Sequence, residues 1–126
     1  MERMLSRLGG VLYAAMRIVL ALIYMAHGLQ KVFGILGGHA VPLASMLGIA
    51  GILETVLGAL IGVGLFTPLA AFIASGEMAF AYFIAHAPRA RLPIQNGGEL
   101  AVVLCFAFLY IASQGGGRLS ADAARR

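Results

Sequence analysis

Four long apolar segments alternate with short glycine- and proline-rich segments along the 126-residue chain. Each apolar segment is close to the roughly 20 residues that a helix needs to cross the hydrocarbon core of a bilayer. Gly34, Pro42, Pro68 and Pro88 lie in the breaks between the segments. The pattern predicts four spanning helices and a polar tail, at about residues 8–29, 43–66, 68–87, 96–113 and 114–126.

The connections between these segments are short, and short connections join antiparallel neighbours in helical bundles. We therefore predict an all-α fold, an antiparallel up-down four-helix transmembrane bundle that forms a single domain over residues 1–126. The second segment has glycines three or four residues apart, among them Gly51 and Gly58, so that a neighbouring backbone can approach closely. We expect the tail from Arg118 onwards to be loosely ordered.

The composition is that of a membrane protein, with 61% hydrophobic and only 11% charged residues. An ordinary soluble domain has about 25% charged residues. Four spans leave no room for a soluble catalytic domain, so we do not expect a self-contained enzyme. The first apolar segment follows Arg3 and Arg7 as in a signal peptide, but it is longer than the usual apolar core of one, and we interpret it as a retained span.

The net charge of +4 comes mostly from arginines near the ends of the chain and in one loop, which suits contact with membrane lipid and not nucleic-acid binding. Four spans would place both termini on one side of the membrane. The basic residues on that side are Arg3, Arg7, Arg118, Arg125 and Arg126, against Lys31, Arg89 and Arg91 on the other. The positive-inside rule then predicts cytoplasmic termini.

A polar stripe runs along the otherwise apolar first helix. Arg17, Tyr24, His27 and Lys31 fall within about 80° of one another at 100° per residue. Arg17 would lie near the middle of the bilayer, where an arginine needs a partner. The stripe therefore predicts that polar groups on the other helices face it.

Glu54 and Glu77 lie at a similar distance from the start of their predicted spans as Arg17, so the three residues are predicted to form a buried polar core. A carboxylate can accept two hydrogen bonds from the Arg17 guanidinium, and Glu54 is the favoured partner because it lies on the glycine-lined second helix. An ion pair that only fixes helix packing is an alternative. Glu77 would then carry or share a proton, because an isolated charge is costly inside a membrane.

A second polar group is predicted nearer the non-cytoplasmic surface, with Tyr24 between the two levels. Its members are His27, Lys31, His86, Asn96 and Glu99. These side chains could bind a quinone head group or a small anion, or form a proton path. The alternatives are that Lys31 extends to the membrane surface, that Glu99 only stabilises the first turn of its helix, and that the histidines bind haem, although no haem motif is present.

Cys105 is the only cysteine, which excludes an internal disulfide and a Cys-x-x-Cys redox pair. Its apolar neighbours indicate a core residue. No metal site and no intrinsic cofactor are predicted.

The chain resembles the DoxX family of small bacterial membrane proteins over nearly its whole length. The matching positions are Arg17, His27, Gly28, Lys31, Gly51, Glu54, Gly58, Met78, Ala81, His86, residues 96–99 and residues 115–122. The resemblance implies a four-helix membrane bundle in the bacterial inner membrane. It also implies a link to membrane redox chemistry, including DoxD-type subunits of thiosulfate:quinone oxidoreductase, and to oxidative-stress complexes.

The leading hypothesis is an accessory or quinone-site subunit whose soluble or membrane-bound redox partner carries the redox centre. A small transporter or proton-conducting protein would use the same acidic residues as a relay. A structural or assembly subunit would depend on the glycine-lined second helix, and a second copy of the chain could supply part of the packing.

Overall fold

The computed structural model describes all 126 residues, and the chain is helical without strands. This confirms the predicted all-α class. In chain order the helices are α1 (Glu2–Phe33), α2 (Met46–Val63), α3 (Thr67–Ala81), α4 (Pro93–Asn96), α5 (Glu99–Gln114) and α6 (Ala121–Ala124). A π-helical turn over Tyr82–His86 extends α3. With this turn included, α1, α2 and α3 are long and apolar enough to cross a membrane, and α5 is a shorter apolar helix.

The helix ends differ from the predicted spans. α1 extends beyond residues 8–29 at both ends, because helical hydrogen bonding continues through polar residues such as Glu2 and Lys31. α2 is shorter than residues 43–66: Ser45 caps its start by accepting a hydrogen bond from the Gly48 N–H at 3.1 Å, and Gly64 ends it with a φ of 74°.

The main helix contacts are between α1 and α2, between α3 and α5, and between α2 and α3. The core between the helices is rich in small side chains, with Ala21, Ala71 and Ala74 almost fully buried beside Ile61 and Phe108. Small side chains let the helix backbones come close together, as is typical of helices that associate in a membrane.

Glycines form the closest contact between α1 and α2. A Cβ atom at Gly28 would lie 2.6 Å from the Thr55 backbone nitrogen, and one at Gly58 would lie 2.7 Å from the Met25 Cβ. At Gly51 a Cβ would lie 2.7 Å from the Lys31 Cβ. The close approach predicted from the glycine spacing of α2 is confirmed at Gly51 and Gly58.

The C-terminal tail is ordered, so the prediction that it is loosely ordered is wrong. Asp122 accepts hydrogen bonds from the Phe66 and Thr67 N–H groups, each at 2.9 Å, and its own N–H donates to the Gly64 carbonyl at 2.8 Å. Ser120 is buried and caps α6. The tail is held because its carboxylate satisfies N–H groups that the first turn of α3 leaves without helical partners.

Candidate functional site

Arg17 is fully buried, but its partners are carbonyl groups and not a carboxylate. Nε donates to Ile61 at 3.0 Å, one terminal nitrogen donates to Gly116 and to Arg118, and the other donates to Leu119 at 2.7 Å and Gly62 at 3.4 Å. The predicted pairing of Arg17 with Glu54 is therefore wrong, and Arg17 joins the tail to the end of α2.

The error came from judging depth by distance from the start of each span. Arg17 contacts Ile61 in the last turns of α2, whereas Glu54 precedes Ile61 by two helical turns, about 10 Å along the axis. Glu54 instead lies level with the end of α1. Because α1 is much longer than α2, residues that lie equally far from the start of their predicted spans are not at the same level of the bundle.

Lys31 forms an ion pair with Glu54, with 2.6 Å between Nζ and Oε2. The Glu54 side chain is 3% exposed and that of Lys31 is 25% exposed, so the lysine points into the protein and does not extend to the membrane surface. The nearby Gly28 and Gly51 bring the two helix backbones close enough for this contact.

Glu77 continues this polar chain. The Tyr24 hydroxyl donates to Glu77 Oε2 at 3.2 Å, and Glu77 lines the same cavity as Glu54. Tyr24 is itself fully buried and packs edge-to-face on Phe108, with ring centroids 5.0 Å apart.

A cavity of about 300 Å³ opens beside this chain. Its polar lining residues are Tyr24, His27, Lys31, Glu54, Glu77 and His86. Its apolar lining residues include Leu47, Ala50, Met78, Ala81, Leu100 and Leu104. The structure therefore places Glu54 and Glu77 in one group with His27, Lys31 and His86, and leaves Arg17 outside it.

His86 lies in the π-helical turn at the end of α3, a kind of helix irregularity that often occurs at functional sites. Its Nδ1 is 3.2 Å from the Asn96 carbonyl oxygen. Since a carbonyl can only accept, Nδ1 carries the proton, and Nε2 is left as an acceptor unless the ring is charged. The ring also stacks on Tyr82, with centroids 6.4 Å apart.

Asn96 and Glu99 do not line the cavity. The buried Asn96 amide donates to the Tyr82 hydroxyl and the Ala90 carbonyl and accepts from the Gly98 N–H, so it organises the loop before α5. Glu99 is exposed on the first turn of α5 and has no side-chain hydrogen bond or ion pair. This position agrees with the alternative that Glu99 acts on the helix end only.

Sequence reasoning missed the apolar wall of the cavity, because an alanine or leucine in a spanning helix has the same pattern whether it faces lipid or a cavity. Leu47 and Leu100 are 54% and 42% exposed at its rim, while Leu104 is buried inside it. No group of three or more His, Cys, Asp or Glu side chains is arranged to hold a metal ion.

The Lys31 ammonium group is paired with the Glu54 carboxylate, and the Glu77 carboxyl is the second acidic group in the cavity lining. The site therefore favours a neutral polar ligand over an anion, which the carboxyl groups would repel.

Comparison with known proteins identifies two matches. The DoxX family model matches residues 12–87, a range that includes every polar residue lining the cavity. An uncharacterized protein of Haemophilus influenzae is 42% identical over 116 residues, which cover 86% of this chain and 87% of that protein. No solved structure matches the chain.

Proposed function

The chain belongs to the DoxX family of membrane proteins, and we propose that it is an accessory subunit whose cavity binds the head group of a membrane quinone. A partner subunit with a redox centre would exchange electrons with the bound quinone. This chain would supply the pocket and handle protons, and it would need no cofactor of its own.

The proposal includes an antiparallel four-helix bundle in the bacterial inner membrane with both termini in the cytoplasm. The pairs Arg17–Ile61 and Lys31–Glu54 support opposite directions for α1 and α2, because residues later in α1 contact residues earlier in α2. The bond from Ser75 to the Cys105 carbonyl and the contact of His86 with Gly98 support the same for α3 and α5. The positive-inside rule supports the orientation.

The observation that carries the proposal is a small cavity with hydrogen-bonding groups on one side and an apolar wall on the other. A volume of about 300 Å³ is at the lower end of ligand pockets, which run from roughly 300 to 1,000 Å³. It suits a single ring better than haem or flavin. A quinone tail could leave the cavity past Leu47 and Leu100 into lipid.

The polar residues match the chemistry of a quinone. Its two carbonyl oxygens accept hydrogen bonds, and the Lys31 ammonium group and a protonated histidine ring nitrogen can donate them. Reduction to a quinol takes up two electrons and two protons. Both protons would come from water through the Glu77 carboxyl, which forms no ion pair, while Lys31 stays paired with Glu54.

A proton relay across the membrane is the main rival, because the bonded pairs Lys31–Glu54 and Tyr24–Glu77 line one cavity and could form a polar chain. This chain ends at Tyr24. The layer between Tyr24 and Arg17 is mainly apolar, with Ala21, Leu57, Ile61, Ala74 and Phe108 buried in it, and its one hydroxyl, on Ser75, donates to the Cys105 carbonyl. A site that is open to one side only suits ligand binding better than conduction.

The test compares two alanines of α2. Ala50 lines the cavity, whereas Ala59 is exposed and does not. The protein would be extracted with native lipid in polymer nanodiscs, and its quinone would be measured by chromatography relative to protein and phospholipid. Ala50→Phe should lower the bound quinone roughly tenfold, equivalent to about 1.4 kcal/mol, while Ala59→Phe should leave it unchanged.

Two outcomes would contradict the proposal. One is a wild-type protein with no more quinone than the surrounding lipid contains, and the other is an equal loss in both variants. Mass spectrometry of the same preparation would identify a co-purifying subunit, and a flavin, haem or sulfur-transfer cysteine in it would identify the electron partner.

A further inference from the structure

A second cavity lies at the opposite end of the molecule, where α6 docks against the α2–α3 turn. Its volume is about 540 Å³, and the proposed quinone site does not involve it. One wall is apolar and consists of Phe66, Pro68 and Leu69, and the other carries Arg125 and Arg126. The cavity is therefore amphipathic.

The apolar wall lies where a membrane surface is expected. Phe66 and Leu69 flank the start of α3, a helix apolar enough to cross a membrane, and they are 53% and 64% exposed. Large apolar side chains at the end of a spanning helix lie between the hydrocarbon core and the head groups. An acyl chain could therefore run along them while its head group stays near α6.

The two arginines of the basic wall have N–H donors that can bind a ligand. The Arg125 guanidinium lies 4.9 Å from the centroid of the Phe66 ring, a cation–π contact that positions the group without using its N–H donors. Neither Arg125 nor Arg126 forms an ion pair. Asp122 is the only acidic lining residue, and the Phe66 and Thr67 N–H groups already bind its carboxylate.

We propose that this cavity binds an anionic phospholipid, with the phosphate between Arg125 and Arg126 and an acyl chain along Phe66 and Leu69. Two arginines against one aspartate give the lining side chains a net positive charge, which complements the head group of phosphatidylglycerol. Arginine also suits a phosphate because its planar fork can donate two parallel hydrogen bonds. A free phosphate would make no contact with the apolar wall.

The test measures lipid binding to the full chain in detergent by native mass spectrometry, with phosphatidylglycerol and phosphatidylcholine of identical acyl chains. The Arg125→Gln/Arg126→Gln variant is compared with Arg89→Gln/Arg91→Gln, which removes the same charge from the loop at the other end. We expect the first variant to bind phosphatidylglycerol roughly tenfold more weakly or worse, and the second to bind it as the wild type does.

Two further measurements test whether positive charge is enough for binding and whether the site binds the lipid or only its phosphate. Arg125→Lys/Arg126→Lys should retain most of the preference for phosphatidylglycerol, and inorganic phosphate should not displace the lipid. Equal binding of both lipids, equal loss in both glutamine variants, or full displacement by inorganic phosphate would each overturn the proposal. Circular dichroism would check that all variants remain helical.

Discussion

Arg17 shows how a single side chain can carry a buried charge without a carboxylate. Its carbonyl partners lie in the last turn of α2 and in the segment that follows α5. Carbonyl groups at the C-terminal end of a helix have no helical partner and carry partial negative charge. The guanidinium therefore neutralises the C-terminal end of α2 and holds the tail against it.

Replacement of Arg17 by Met should destabilise the protein by about 3 kcal/mol or more, because several buried carbonyls would lose a charged donor. Arg17→Lys should recover little of this, since an ammonium cannot reproduce the planar fork. Thermal unfolding in one detergent would measure the loss, and trypsin cleavage at Arg118 would report release of the tail. The exposed Arg7 is the control, and Arg7→Met should leave both readouts unchanged. A protected tail in Arg17→Met would contradict this account.

Asp122 makes the docking of the tail dependent on pH. The Thr67 backbone N–H, together with that of Phe66, holds the pKa of the Asp122 carboxyl below its ordinary value of 3.8. Because the folded pKa is the lower one, the stabilisation is complete above pH 3.8 and is lost as the pH falls through the folded value. Hydrogen exchange at the Thr67 amide, corrected for its intrinsic pH dependence, should therefore accelerate in this acidic range.

Asp122→Asn should show faster exchange at neutral pH and little further change on acidification, since the amide does not titrate. The exposed Glu2 is the matched carboxyl, and Glu2→Gln should behave as the wild type. If the wild type and Asp122→Asn have the same pH profile, the carboxylate does not hold the tail.

At the scale of helices, the contact between α1 and α2 depends on glycines. Gly28→Ala would place a Cβ atom 2.6 Å from backbone nitrogen and 2.7 Å from the Gly51 carbonyl oxygen, which cannot move unless the helices separate. We expect a loss of about 1–3 kcal/mol. Gly76 in α3 has open space around it, so Gly76→Ala should be neutral or stabilising by up to about 1 kcal/mol. Equal unfolding temperatures for the two variants would contradict the role of Gly28.

The hydrophobic pattern and the glycine spacing were sufficient to predict the helical class and the close approach of α2 to a neighbouring helix, because both depend on local sequence. The partners of Arg17 and Glu54 were not predictable in this way. They depend on how far each helix extends past its apolar segment and on a polar tail whose binding groups are backbone carbonyls, which every residue type has. Among the side chains of the predicted site, Asn96 lies at the end of the short helix α4 and Glu99 in the first turn of α5, where sequence does not determine the direction of a side chain.

At the scale of the whole molecule, the two ends have different chemistry. One end holds the cavity with the Lys31–Glu54 ion pair, and the other holds Arg17 and the docked tail. The layer between them includes Leu57, Ile61 and Phe108, none of them more than 6% exposed. The Ser75 hydroxyl, which donates to the Cys105 carbonyl, is an isolated polar group in this layer and does not connect the two ends.

This separation predicts that the protein does not conduct protons. Proteoliposomes with an internal pH-sensitive dye should hold an imposed pH gradient as long as protein-free liposomes do, because a mainly apolar layer offers no continuous chain of hydrogen-bonding groups for transfer. Glu77→Gln should leave the rate unchanged, and a protonophore would confirm that the vesicles are sealed. A gradient that collapses faster with the wild type, and is restored by Glu77→Gln, would show that the polar chain crosses the layer and would favour a relay over a ligand site.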